Sequence, residues 1–164
     1  MVNINKKQLR DPVCHMMVNK DGFSLEYQTT VYAFCSQQCL ERFKSNPHLY
    51  IGQPGRLSPK QHGQEIIKKR RLKLGEPLTD NQSAVIITEL ENMMGIKAVC
   101  VEADGIYITY DLLQATIEQI EKKIEATGEQ LGKDMAEKLK RAFIHYLEET
   151  ELDNLEQAGH EHRH

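Results

Sequence analysis

The sequence predicts an α+β protein of two unequal modules joined by a linker, and three observations carry that expectation. Three of the four cysteines, Cys14, Cys35 and Cys39, fall early in the chain around an alternating, hairpin-like pattern. A run containing Gly52, Pro54, Gly55, Ser58, Pro59 and Gly63 follows and interrupts all periodicity. Beyond it, apolar residues recur with strand, helix, strand, strand and helix spacing, and then once more with helix spacing.

The first module is organised by its sulfurs. Twenty residues separate Cys14 from Cys35, and three separate Cys35 from Cys39. Between them Phe23, Leu25 and Tyr27 alternate, Thr29-Thr30 turns, and Val31 to Phe34 returns, which is a hairpin pattern. Ser36 is a good N-cap for a helix to about Ser45, where Asn46-Pro47 stops it. Cys39 then sits in the first helical turn and Cys35 just outside the cap. A helix N-terminus favours negative charge, so both sulfurs are expected to lean towards thiolate, the form that binds metal. The Pro12-Val13-Cys14 turn can bring the third sulfur alongside. Cys14, Cys35 and Cys39 are therefore candidate metal ligands, with His15 and Met16 as candidate additional ones. Such a soft site suits Cu(I) or Zn(II).

Three blocks carry a family resemblance: Asp11-Pro12-Val13-Cys14-x-Met16, Phe34-Cys35-Ser36-x-x-Cys39 and Phe43-x-x-Asn46-Pro47-x-x-Tyr50. Together they resemble the YHS domain, a small module related to zinc-binding treble-clef-like and zinc-ribbon units. That family occurs on copper-transporting ATPases and other heavy-metal proteins. It usually has Gly where this chain has His15. The histidine is either a fourth ligand or a surface substitution.

The second module opens with a strand suggested by Leu72 and Leu74 among charged neighbours. A helix over about residues 80–94 follows, with a capping box at Thr79 and Gln82, an apolar face including Val85, Ile86 and Leu90, and Gly95 as its stop. Ile96–Ala103, an Asp104-Gly105 turn and Ile106–Tyr110 read as a hairpin. A two-residue loop would pair Ala103 with Ile106, Val101 with Ile108 and Val99 with Tyr110, leaving Cys100 on the opposite face. A helix from Leu113 or Thr116 to Thr127 buries Ile117, Ile120 and Ile124. A short strand near Glu129–Leu131 would complete a ferredoxin-like βαββαβ module. Met135, Leu139, Ala142, Phe143, Tyr146 and Leu147 form one stripe of an extra C-terminal helix, expected to be buried on the sheet, with homodimerisation as the alternative.

The element order, the Gly95-Ile96-Lys97 join and Tyr110-Asp111 are similar to heavy-metal-associated (HMA) domains, the ferredoxin-like modules of metallochaperones and metal-ATPase tails. Those domains usually carry a Met-x-Cys-x-x-Cys loop after the first strand. Here the stretch is Glu76-Pro77-Leu78-Thr79-Asp80-Asn81-Gln82 and holds no thiol, so the resemblance implies an HMA-like module without its metal loop.

The expected organisation is therefore a YHS-like domain over residues 1–51, a linker over 52–65, an HMA-like domain over 66–152 and a flexible tail over 153–164. That tail carries His160-x-His162-x-His164, a pattern with metal affinity. Net charge is −3, but residues 1–78 carry 13 Lys/Arg against 6 Asp/Glu, and residues 79–164 carry 8 against 18. This polarity can support contact with a partner, and the resemblance implies a metal-transporting ATPase or another metal-handling protein. Nucleic acid is not expected, because no aromatic residues interleave Lys68-Lys69-Arg70-Arg71. No apolar run reaches the length of a membrane span, and no signal pattern opens the chain, so membrane insertion is not expected and a cytoplasmic setting is. No nucleophile–base constellation or phosphate-binding loop points to an enzyme. The expected function is a soluble heavy-metal-binding protein, copper first and zinc second, acting as carrier, sequestering protein or transporter accessory. The alternatives are an interaction or regulatory adaptor with a purely structural zinc, and an accessory subunit of a metal-dependent oxidoreductase.

Overall fold

A computed structural model describes the backbone of residues 8–161 and the side chains of residues 8–158. The fold is mixed α and β, and it separates into two compact units. One runs to Gln64 and includes the chain from Glu156; the other is Glu65–Leu155.

The first unit contains two small antiparallel ribbons. Strands β1 (Gln8–Arg10) and β2 (Met17–Asn19) pair with Leu9 opposite Val18. Strands β3 (Phe23–Tyr27) and β4 (Thr30–Phe34) form the expected hairpin, with Phe23 opposite Phe34 and Tyr27 opposite Thr30. Its two-residue loop is Gln28-Thr29, one position earlier than expected. Both residues have positive φ, 48° and 66°, the handedness that a two-residue hairpin turn demands.

Helix α1 (Gln37–Ser45) starts at the Ser36 cap, whose Oγ accepts from Cys39 N, and stops at Asn46. A single 3-10 turn, Pro47–Leu49, then delivers Tyr50. Phe43 is fully buried and is the hub of the unit. Its ring meets those of Tyr32 at 5.0 Å, Phe34 at 5.3 Å, Tyr27 at 5.8 Å and Tyr50 at 6.4 Å. Arg42 is also buried, and donates to Asn46 Oδ1 at 3.1 Å and Tyr50 Oη at 3.4 Å. His48 is half-buried with Nε2 3.1 Å from Tyr27 Oη.

The Gly/Pro-rich stretch after Ile51 is not a free linker; it packs as part of the first unit. Gln53 and Arg56 exchange backbone hydrogen bonds of 3.0 and 2.9 Å, and Lys60 N donates to Leu49 O at 3.0 Å. Gly52 is required for this return. A Cβ there would lie 2.3 Å from Arg56 O, closer than any side chain tolerates. Composition marked the segment as irregular, and irregular backbone can be as well packed as a helix once its polar groups find partners.

The second unit is a three-stranded antiparallel sheet of order β5-β7-β6, formed by β5 (Ile67–Lys73), β6 (Ile96–Glu102) and β7 (Gly105–Asp111). Helices α2 (Asp80–Glu91) and α3 (Ile117–Ala126) follow β5 and β7. Both begin with full capping boxes, Thr79 with Gln82 and Thr116 with Gln119. Since β5 and β6 both run antiparallel to β7, they are parallel to each other and α2 is the crossover of a split βαβ unit. Leu72, Ile86, Leu90, Ile108, Ile120 and Ile124 lie in its core. The expected fourth strand is reduced to a bridge between Leu74 and Leu131, flanked by Gly75 N→Gln130 O and Gly132 N→Lys73 O, each 2.8 Å.

The β6–β7 hairpin is shifted from the expected register by two positions. Val101 pairs with Ile106 and Val99 with Ile108, and the loop is Ala103-Asp104 with Ala103 at φ 50°. A shift of two preserves side-chain parity, so the apolar face survives and Cys100 still lies opposite, now across from Tyr107. Helix α2 ends three residues early, at Glu91, and Gly95 (φ 84°) serves the following turn instead. There a Cβ would meet Gln114 Cβ at 2.6 Å.

The largest departure concerns α4 (Met135–Glu161), which is capped by Asp134 Oδ1 accepting from Glu137 N at 2.8 Å. It continues through residues 153–161, where a flexible tail is expected. Its apolar stripe faces outwards: Met135 is 71% exposed, Leu139 63%, Phe143 60%, Tyr146 63% and Leu147 41%. The buried side carries Ile144, Glu148 and Leu152 instead. Glu148 accepts from Ile117 N at 2.7 Å and from the Tyr110 hydroxyl. Arg141 and the half-buried His145 close on the buried carboxylate of Glu121, with Arg141 Nε at 3.2 Å. Burial pushes both Glu121 and Glu148 up from the usual carboxylate range. Apolar periodicity selects the wrong side because the inner side is fixed by specific polar pairs, whose disruption would strand buried carboxylates.

Candidate metal centre

The three sulfurs come together where the Cys14 turn, the end of β4 and the first turn of α1 meet. Cys14 Sγ lies 3.4 Å from Cys35 Sγ, and Cys35 Sγ lies 3.5 Å from Cys39 Sγ. Ligand atoms of Asp11, Cys14, Cys35 and Cys39 all fall within 4.8 Å of one another. Cys39 is buried, whereas Cys14 and Cys35 are half-buried. The sulfurs thus have one protected side and one side open to exchange.

Asp11 was not singled out in the sequence as a site residue, and it holds the cluster together. Its side chain is fully buried. Oδ1 accepts from Val13 N at 2.7 Å and Cys14 N at 3.3 Å, while Oδ2 accepts from Cys35 N at 2.8 Å. One carboxylate thereby fixes the backbone of two cysteines that are distant in sequence. Both oxygens are engaged by N–H donors, so Asp11 acts here as a positioning residue. The same device recurs in the second unit, where buried Asp111 accepts from Ile66 N and Leu113 N, each at 3.0 Å. The only sequence signal for Asp11 is its place at the head of the Asp-Pro-Val-Cys turn.

The structure does not bring His15 into the sulfur group. His15 is exposed and has φ 67°, a left-handed conformation that favours glycine. Burial, followed by the charges of Lys60 and Arg10, pulls its imidazole below the ordinary histidine range. Its peptide N–H donates to Asp11 O at 2.8 Å, and Asp11 N donates to Met16 O at 2.8 Å, closing the turn. Met16 has its side chain 48% exposed and contributes to the site through its backbone, whose N–H stabilises the Cys14 thiolate. A glycine at position 15 would relieve the left-handed strain. We therefore expect His15→Gly to stabilise the protein by about 0.5–1 kcal/mol in thermal or urea unfolding. Metal stoichiometry should not change; a loss of bound metal would make the imidazole a ligand.

The three thiols act on one another's acidity. The Cys39 thiol, by hydrogen bonding, holds Cys14 below the usual thiol range against the opposing effect of burial. Cys35 is pushed up to about 11, chiefly by burial, and Cys39 is pushed up by its bond to Cys14 and then by burial. The expected thiolate bias of Cys35 and Cys39 at the helix N-terminus is thus overridden by burial and by the neighbouring sulfur. A cation entering the group would displace thiol protons.

Comparison with protein families matches residues 9–54 to the YHS domain. Residues 9–54 form a YHS domain. The YHS match takes in all three sulfurs, Asp11, the Phe43 hub and Tyr50. Comparison with curated proteins returns no match. Among solved structures, similarity is found to a protein described as copper-ion-binding from Bacillus anthracis str. Ames, at 17% identity and TM-score 0.39, covering 42% of this chain and 99% of the other. The N-terminal soluble domains of Bacillus subtilis CopA are similar at 20% identity and TM-score 0.39, covering 42% of this chain and 48% of the other. Beyond the YHS domain, the second unit has the strand order and crossover of a ferredoxin-like module, and its 75–79 loop carries no sulfur. Among the described residues no helix is long and apolar enough to cross a membrane.

Proposed function

We propose that this protein binds one soft metal ion as cargo, copper(I) first and zinc(II) second, through Cys14, Cys35 and Cys39 of its YHS domain. The carrying observation is the convergence of three sulfurs around a carboxylate whose oxygens are already occupied by backbone donors. Three thiolates alone satisfy a soft monovalent ion, whereas structural zinc normally takes four ligands. The half-buried Cys14 and Cys35 allow an incoming ligand to approach, as a carrier or sequestering protein needs. The protein performs no catalysis of its own in this reading and works in a reducing, cytoplasmic setting where the thiols stay free. A metal-transporting ATPase or another metal-handling protein is the partner class it would serve. The second reading is a structural zinc in an adaptor, favoured by the Asp11 carboxylate lying within 4.8 Å of the sulfurs, where it would complete a four-ligand set by giving up a backbone donor.

The test is metal titration of the full untagged chain against a chromophoric chelator. One ion per chain is expected, and Cys14→Ser, Cys35→Ser and Cys39→Ser should each weaken binding by more than about 100-fold. Exchange with the chelator without loss of the native circular dichroism spectrum supports cargo binding. Unfolding on metal removal supports the structural reading, and unchanged metal content in all three variants would refute both.

A further inference from the structure

The outer face of α4 is an unpaired apolar surface. Met135, Leu139, Phe143, Tyr146 and Leu147 lie along it at helical spacing, between 41% and 71% exposed. Side chains of this kind expose about 150–250 Å² when fully free, so the stripe presents on the order of 500–600 Å² of apolar surface. This is at the upper end of what a solitary soluble protein leaves uncovered. Doubled across a twofold axis it gives about 1,000–1,200 Å², the size at which specific protein interfaces begin.

The charges flanking the stripe indicate what covers it. Lys138 and Glu149 are both exposed and lie on the same flank, since eleven residues make three helical turns with about 20° to spare. In a parallel twofold pair this flank would face the opposite flank of the partner, so Lys138 and Glu149 would not meet. An antiparallel partner sets each Lys138 level with the other copy's Glu149, twice by symmetry, with Phe143 near the axis.

We propose that a second copy of this chain covers the stripe through antiparallel, twofold-symmetric pairing of α4. The surface is self-complementary in both apolar content and charge order, and the pairing uses none of the residues of the metal centre. It is therefore independent of the reading of that centre.

Sedimentation of the full chain across a concentration series tests the proposal. A dimer with a dissociation constant of about 1–10 µM is expected. Phe143→Asp should raise that constant by at least about 100-fold, because it puts a charge at the centre of the seam. The melting temperature of Phe143→Asp should match that of wild type at concentrations where both are monomeric. Lys138→Glu should weaken the dimer by about tenfold, and Lys138→Glu combined with Glu149→Lys should restore it. A wild-type chain that stays monomeric, a Phe143→Asp variant that stays dimeric, or a double reversal without recovery would overturn the proposal. So would a destabilised Phe143→Asp monomer, since the stripe would then be covered within its own chain.

Discussion

Phe43→Ala is expected to leave the metal-free YHS domain largely unfolded and to make its folding depend on the ion. Phe43 is fully buried, and its ring meets those of Tyr27, Tyr32, Phe34 and Tyr50. Truncating a buried phenylalanine costs about 3–5 kcal/mol, comparable with the whole stability of a module this small. A ligand that binds only the folded form restores about 4 kcal/mol when present at roughly a thousand times its dissociation constant. Near-ultraviolet circular dichroism should therefore show the aromatic signal lost in the metal-free variant and regained on adding metal. A metal-free variant that retains the wild-type signal and melting temperature would show that the aromatic cluster is not the hub described here.

Asp11→Ala should have an effect of similar size by a different route. It removes the acceptor for three backbone N–H groups, two of them on cysteines of the proposed metal site. Each buried donor left without a partner costs about 1–3 kcal/mol. Water can reach the half-buried cysteine amides, so a loss of about 2–4 kcal/mol is expected in all. Metal affinity should fall at least about tenfold, since the Cys14 turn is no longer fixed to the end of β4. The absorption band from thiolate to metal should keep its position once the variant is saturated, because the three sulfurs remain the ligands. Asp11→Asn, which retains one acceptor oxygen, should fall between Asp11→Ala and wild type. A shifted band in either variant would mean that the carboxylate binds the ion directly.

The sulfur cluster was legible in the sequence because its causes are local. Ser36 caps α1 as its residue type dictates, the cap places Cys39 in the first turn, and the alternation of Phe23, Leu25 and Tyr27 supplies the hairpin that delivers Cys35. The capping boxes at Thr79 and Thr116 were legible for the same reason. Asp11 was visible as a letter in a motif but not as the tie across the site, since a carboxylate's partners depend on backbone brought from elsewhere. The β6–β7 hairpin shows a finer limit. Asp104-Gly105 is the better turn on local grounds, yet pairing with β5 as well as β6 set the register, and parity alone could be read in advance. In α4 the stripe of large apolar residues was plain, but its direction was decided by Glu148 and Glu121, whose partners on β7, α3 and α4 no periodicity announces.

Among the described residues, the arrangement β5-β7-β6 leaves the outer ladder of β5 without a neighbouring strand along most of its length, and this has a bearing on how crowded solutions of the protein behave. Open backbone donors and acceptors invite a strand from another molecule. Here the inviting segment reads Ile-Lys-Lys-Arg-Arg-Leu-Lys, so two such edges approaching each other bring their positive charges together before any hydrogen bond can form. Glu151 answers Lys68 at 2.7 Å, Asp104 answers Arg71 at 3.4 Å, and Arg70 lies beside Glu148 and Tyr110, which leaves Lys69 and Lys73 to repel. Repulsion of this kind fades within a screening length of about 10 Å at moderate salt. The β5 edge is thus guarded against fibrous growth by charge rather than by a covering strand, and its protection is coupled to ionic strength.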